Sequence, residues 1–434
     1  MFSFRIIFVA VCAFLLSLSS QNAFAAGSGG YRVETPDAGA FGMGTAFVGE
    51  ADTPAAVYYN PAGINQMSSP EVSVGDAIIA PRAHMTQPGG NTVHEQNNEF
   101  SIPNFYAVVP LIPSKLSVGV GSGSYWGLGT NWGYNGPLSY GTTQAKITDI
   151  DNSLVASYQV TQQWSLAASA DNDYSRVNES WAYKNASGGV SFGPDGNIEV
   201  KGGNDAWGYR LATMFKINDQ NQVGLMYRSR INHDYTGKIT VNGISPTLQS
   251  VDGFSGSTYI TDIEEKSVLP QSVVLGYSFK PTTKWTINLD LEWMDWSSTK
   301  NQTLTFFGAS AQQLQFLNTG NPRPENWHSA WSESIGTQYA VTDRFRVRLG
   351  YYHHGRVVSG ADFNPEIPDS NSNGYTTGFG YDLTKRLTLD VAYSALVYDS
   401  RNITNTVSNV FGGSVDGKYE QFINIGLVSL TYKF

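Results

Sequence analysis

The chain has 434 residues, 13% aromatic residues, 45 glycines and a formal charge of −9. This acidic balance, with no basic stripe, excludes nucleic acid as a partner. Mean hydropathy is −0.24, and no run beyond the N-terminal region is long enough for a spanning helix. A helical membrane protein is thereby excluded; a β-barrel is not, because its alternating faces dilute hydropathy.

In chain order, Arg5 precedes an apolar run from Ile6 to Leu18, and Ala23-Phe24-Ala25 offers a small-x-small cleavage site. The run is short for a membrane anchor, so residues 1–25 are expected to be a secretory signal, with the mature chain starting at Ala26. Cys12, the only cysteine, lies in that signal. Disulfides, thiol catalysis and cysteine-bound metals are excluded from the mature chain, and no cofactor or metal is expected. Residues 26–69 are rich in Gly and Ala and lack strand alternation. They are too apolar for a disordered tail and are expected to form an N-terminal plug, a floppy extension being the other reading.

From about Glu71 the chain alternates apolar and polar residues with a period of two. Trp285, Ile287, Leu289, Leu291 and Trp293 oppose Thr286, Asn288, Asp290 and Glu292. Phe345, Val347, Leu349 and Tyr351 oppose Arg346 and Arg348, and Leu387, Leu389, Val391 and Tyr393 oppose Thr388, Asp390 and Ser394. Such a charged face fits a watery lumen better than a sandwich core. Short links fall at 110–115, 160–163, 217–222, 280–284, 341–344 and 382–386; long ones near 86–97, 127–142, 184–197, 242–258, 298–326, 357–373 and 400–417. Six short turns alternating with seven long loops imply a fourteen-stranded antiparallel transmembrane barrel over residues 70–434. Fourteen strands enclose more space than wall side chains fill, which gives the N-terminal plug a place. The last strand carries Val428, Leu430, Tyr432 and Phe434 on one face. Such an edge is a liability unless it pairs with the first strand. A terminal Phe on it also resembles the signal read by the outer-membrane barrel assembly machinery, a partner during biogenesis.

The residues before the first strand carry a resemblance. Gly42, Gly44 and Gly49 with Ala46 and Ala51, followed by Asn60-Pro61-Ala62-Gly63, resemble the hatch of the FadL family of outer-membrane transporters for long-chain fatty acids and, in some branches, aromatic hydrocarbons. Tyr125-Trp126-Gly127, Trp207-Gly208-Tyr209 and Met226-Tyr227-Arg228-Ser229 extend it along the mature chain. The family implies a fourteen-stranded barrel closed by an N-terminal hatch. Pro61 disfavours helix at the residue before it, and the Asn60 amide can satisfy the backbone groups so freed. Chemistry alone leaves a simple helix stop equally open; the resemblance makes Asn60, Pro61 and Ala62 a gate. Gly127 matches the glycine of the family's kinked third strand, where the wall opens sideways; an ordinary bulge is the alternative. In the family, basic residues near strand five and before strand ten hold the fatty-acid carboxylate. The second matches Arg323; the first falls on Trp181, a departure, with Arg176 and Lys184 as nearby substitutes. Leu128, Trp132, Tyr134 and Leu138 are candidates for an outer apolar groove.

Enzymatic readings are poor. Gly189-Val190-Ser191-Phe192-Gly193 fits a nucleophile-elbow spacing but lacks the parallel strand and helix that motif needs. His353 and His354 are adjacent on a strand and point to opposite faces, wrong for joint metal binding. The sequence is therefore read as a non-enzymatic, monomeric passive transporter in the outer membrane, among its lipids. Its expected ligand is a hydrophobic small molecule, a long-chain fatty acid, with aromatic hydrocarbons as the alternative cargo and a general diffusion porin a weaker one.

Overall fold

A computed structural model describes residues 30–33, 35–96, 98–187, 190–405 and 414–434; the expected signal segment, residues 1–25, and Cys12 within it lie outside the described residues. Fourteen antiparallel strands form one ring. They are β1 Glu71–Thr86, β2 Phe100–Ile112, β3 in two pieces (Leu116–Gly123 and Gly127–Asn131), β4 Gln144–Gln159, β5 Trp164–Tyr183 and β6 Gly196–Lys216. β7 (Asn221–Arg228 and Ile231–Asn242) and β8 (Thr258–Leu269 and Ser272–Thr282) are also interrupted. Then come β9 Trp285–Met294, β10 Ala330–Ala340, β11 Phe345–His354, β12 Ser372–Asp382, β13 Leu387–Tyr398 and β14 Gly417–Lys433. Each strand pairs with the next, and β14 pairs along all of β1, from Glu71↔Lys433 to Thr86↔Lys418. The barrel is closed, as the turn spacing implies. Among the described residues no helix is long and apolar enough to cross a membrane.

Tight links join β2–β3, β4–β5, β6–β7, β8–β9, β10–β11 and β12–β13, and the long links gather at the opposite end. The two faces of the wall follow the alternation. On β9, Trp285, Leu289 and Leu291 are exposed while Thr286, Asn288, Asp290 and Glu292 are buried. Outward apolar rows of this extent suit lipid and would be a liability in water. Inward charges are paired: Arg346 with Asp382 at 2.8 Å and Arg348 with Asp390 at 2.5 Å.

Residues 30–69 pack against those inward faces. Two single-turn helices, α1 Ala38–Phe41 and α2 Ala56–Tyr59, precede a 3-10 segment, Pro61–Gln66. Asp37 caps α1, its carboxylate accepting from the Ala40 amide at 2.8 Å. Helices this short have no intrinsic stability, so tertiary contacts hold them. Ala51, Ala56, Val57 and Ile64 bury against Tyr106, Val108, Val155 and Met214 of the wall. Asp290 accepts from the Phe47 and Val48 amides at 2.9 Å each, and Arg210 donates to the Val57 and Tyr58 carbonyls at 2.9 Å each. Contact is close enough that a Cβ at Gly336 or Gly350 would overlap the backbone of Met43 and Gly44.

One boundary differs from expectation. The loop expected to begin at 127 begins after Asn131, because the chain re-enters the ladder at Gly127 and pairs with β4 through Gly127↔Thr148 to Asn131↔Gln144.

Candidate functional site

The third barrel strand is interrupted between Gly123 and Gly127. Its ladder with β2 runs from Ile112↔Leu116 to Phe105↔Ser122 and stops there. The second piece of β3 pairs with β4 alone among the barrel strands, so Phe100–Asn104 of β2 lack a β3 partner among the described residues. Glycine at 119, 121 and 123 weakens the strand just before the break. The N-terminal segment takes the missing place: the Gly127 amide donates to the Tyr31 carbonyl and the Val33 amide to the Tyr125 carbonyl, both at 2.8 Å, around the bridge Arg32↔Trp126. Tyr31 is wedged among Trp126, Trp296 and Trp327, with ring centroids 6.0, 4.9 and 5.7 Å away. Higher up, the Phe100 ring lies where a Cβ at Gly129 would sit 2.6 Å from it. Gly127 thus stands at the break, beside the segment that covers it.

Asn60, Pro61 and Ala62 lie behind this cover. Asn60 is fully buried and extended (φ −153°, ψ 95°), ending α2 and starting the 3-10 segment with Pro61 at its first position. Its amide oxygen accepts from the Ala62 amide at 3.1 Å, and its nitrogen donates to the Val48 carbonyl at 2.9 Å and the Thr213 carbonyl at 3.3 Å. The Ala62 carbonyl accepts from Ser157 and Ser165 at 3.3 and 2.9 Å. The triplet therefore ties the inner segment to itself and to β4, β5 and β6.

Toward the long-loop end lies a cavity of about 330 Å³, at the low end of ligand-sized cavities. Ile198, Ile239, Leu304, Phe306 and Leu317 line it, and so do Trp181 and Arg323, the two positions that the resemblance points to. The Arg323 guanidinium is already engaged, with Glu366 at 2.7 Å and Glu325 at 3.5 Å. Burial pushes the Glu325 carboxyl up to about 7 against the pull of Arg323. Lys184 reaches the mouth, 5.2 Å over the ring of the cavity residue Tyr140. Arg176 is elsewhere. On β5 it shares the outward parity of exposed Tyr174, stacks on that ring at 3.7 Å and pairs with Asp205 at 2.9 Å, so it cannot serve the cavity.

The outer groove is drawn differently from the expectation. Of its four candidates only Tyr134 is exposed, at 61%. Leu128 is inside the second piece of β3 and buried, and Trp132 and Leu138 form a core beneath the loops with Phe363, Val415 and Tyr419. Trp132 also donates its indole N–H to the Pro365 carbonyl at 2.9 Å. Loop aromatics over a wide barrel mouth bury against one another, which a composition-based reading of an exposed loop overlooks.

Beside the break the β1–β2 loop docks on β3 through Glu95, whose carboxylate accepts from the Asn131 amide at 3.3 Å. Burial raises its carboxyl to about 8, against an ordinary 4.5. Folded-state docking then binds an extra proton between those values, so it is favoured in full below 4.5 and lost as pH rises through about 8. Hydrogen-exchange protection of the Gln96 and Asn131 amides, corrected for intrinsic rates, is expected to fall between pH 5 and 9, and Glu95→Gln to remove most of that dependence. A flat profile in the unsubstituted protein would contradict this.

Sequence reasoning missed two features. One is the pairing of residues 31–33 with β3, for which no sequence signal exists. The other is Arg228, quoted only within a motif, whose inward parity on β7 was readable. It is buried, its Nη1 sits 3.0 Å from Asp151, and its guanidinium stacks 3.7 Å over the Tyr125 ring.

A family model for outer membrane protein transport proteins (OMPP1/FadL/TodX) matches residues 16–434. The chain is 24% identical over 385 residues to the long-chain fatty acid transport protein of Escherichia coli O6:H1 (strain CFT073), across 81% of this chain and 84% of that protein. Its fold is similar to the crystal structure of a Pseudomonas aeruginosa FadL homologue, with a TM-score of 0.80 at 19% identity over 93% of this chain and all (100%) of that one. The crystal structure of the P. putida toluene transporter TodX matches with a TM-score of 0.70 at 19% identity, over 92% and 99% of the two chains. These named relatives are transporters, not enzymes. With a closed fourteen-stranded barrel and a family match that runs to its last residue, the chain belongs to the OMPP1/FadL/TodX family of outer-membrane transport proteins.

Proposed function

We propose that the protein passively carries hydrophobic small molecules, long-chain fatty acids foremost, inward across the outer membrane. Cargo enters the cavity beneath the loops and passes along the inner segment, residues 30–69, which acts as a hatch. It leaves sideways through the β3 break. The observation that carries this reading is the interrupted β2–β3 ladder, covered by residues 31–33, in a barrel whose lumen is occupied. An occupied lumen suits neither ions nor sugars. For an alkyl chain, each methylene gains about 0.8 kcal/mol by staying in apolar surroundings, so a wall exit into lipid is favoured over one into water.

A second cargo, an uncharged aromatic hydrocarbon, is favoured by one observation: Glu366 and Glu325 already match the charge of Arg323. Mass spectrometry of the compound co-purified in detergent, with uptake of radiolabelled oleate and toluene by cells lacking other such barrels, tests both. Failure to take up either would end the transport proposal. Substituting Arg323 separates the cargoes. If Arg323 still donates to a fatty-acid carboxylate, Arg323→Ala weakens acid binding by about tenfold to a hundredfold, the loss of about 1.5–3 kcal/mol for a charge-assisted hydrogen bond, and leaves a hydrocarbon unchanged. Equal losses for acid and hydrocarbon would mean that the residue only shapes the cavity.

A further inference from the structure

A second, smaller cavity of about 40 Å³ lies between the inner segment and the inward faces of β7 to β10, with Tyr125 of the β3 break also in its lining. Tyr58, at the end of α2, and Tyr125, at the break, form part of its wall with Ser332, Ser334 and Arg228. Space of this size holds about two or three waters, hence a polar head group but no alkyl chain. Arg228 is only 2% exposed. Of its guanidinium nitrogens Nη1 meets Asp151, while Nε and Nη2 have no hydrogen-bond partner among the described residues. Buried donors without acceptors are rare and costly, and a guanidinium edge with two of them is built to receive an oxygen.

We propose that this cavity is an inner station on the route, where Arg228 hydrogen-bonds the uncharged, oxygen-bearing head of an amphiphilic cargo, a hydroxyl or a protonated carboxyl. The inference rests on the transport reading and adds to it the group that recognises the head. Charge decides the protonation state. Arg32, in the same wall, is paired with Glu292 at 2.5 Å; Asp290 also lines the cavity, and Asp151 takes the remaining edge of Arg228. No surplus positive charge remains for an anion, and stripping a carboxylate of water here would go uncompensated. The three basic residues first considered for the head group have other engagements: Arg323 with two carboxylates, Arg176 with Asp205 on the outward face, Lys184 with the Tyr140 ring. Cargo would thus enter with its chain in the upper cavity and find its polar anchor only beside the exit.

The test uses the full mature barrel in detergent, with 1-dodecanol and dodecane as probes. Arg228→Lys keeps a cation beside Asp151 and removes the planar two-donor edge. Dodecanol affinity is expected to fall on the order of tenfold, with dodecane affinity and melting temperature unchanged. If dodecanol and dodecane weaken equally, or neither weakens, the inner station is refuted while the transport reading stands. If the unsubstituted protein binds neither probe, both fail. Should Arg228→Lys not fold, crystals of the unsubstituted protein soaked with 2-iodoethanol decide by anomalous scattering. An iodine peak in contact with Tyr58 or Tyr125 supports the station, and peaks only elsewhere overturn it.

Discussion

Replacing Gly127 with Phe is expected to abolish uptake while leaving a folded barrel that still binds cargo. Gly127 is where β3 resumes, with its amide bonded to the Tyr31 carbonyl and its ladder partner, Thr148, on β4. Gly127 is buried and bonded to the covering segment, so a phenyl group there would crowd that segment, beside which the proposed exit runs. Overpacking at this buried position costs about 1–3 kcal/mol, which the closed ring of fourteen strands is expected to absorb without unfolding. Uptake and binding therefore separate: uptake drops below detection, and equilibrium binding stays within about twofold because the upper cavity is untouched. Gly89→Phe is the control, since a Cβ at Gly89 meets nothing within 4 Å. Unchanged uptake by correctly assembled Gly127→Phe protein would place the exit elsewhere.

The second large effect is expected at Asn60. Alanine there removes three hydrogen bonds and strands the buried Val48 carbonyl and Ala62 amide, while the Thr213 carbonyl stays within its strand ladder. Unsatisfied buried groups cost about 1–3 kcal/mol each, so the loss is on the order of 2–4 kcal/mol. Little of it should appear in the melting of the barrel, because β6 keeps its ladders; it falls on the hatch. Amide exchange across residues 47–66 should accelerate by tenfold or more, and planar bilayers should show brief ion conductance absent from the unsubstituted protein. Capture in the upper cavity should be unaffected. Hatch protection that survives Asn60→Ala would remove Asn60 from the gate.

Much of the barrel was legible because its periodicity is imposed by two solvents. Trp285 and Leu289 face lipid and Asn288 and Asp290 face the lumen, so a period of two persists on nearly every strand and turns stand out between strands. Glycine content and the resemblance pointed to an irregular third strand at Gly127, and the strand is interrupted just before it. Side-chain partnerships were not. Arg323 and Glu366 are 43 positions apart in sequence and meet only because two loops fold over one mouth. Trp132 and Leu138 read as a surface groove, yet their partners Phe363, Val415 and Tyr419 arrive from two other loops and the last strand. Arg228 was hidden for a different reason: its significance lies in the partners it lacks, which no local pattern encodes.

The seam between β1 and β14 has a consequence for assembly. Every other ladder between the fourteen barrel strands joins neighbours in sequence order, whereas this one joins Glu71 to Lys433 and cannot form until the whole ring is present. Non-local pairing of this kind is the slow, late step of folding. Residues 30–69 run directly into β1, so they are expected to lie at the open slot until that moment. Their close contacts with the walls, such as Met43 against Gly336 and Gly350, leave no room for threading afterwards. The inner segment is therefore expected to be enclosed as the slot zips shut, and a mutation that delays its compaction to show first as barrels caught unclosed in the membrane.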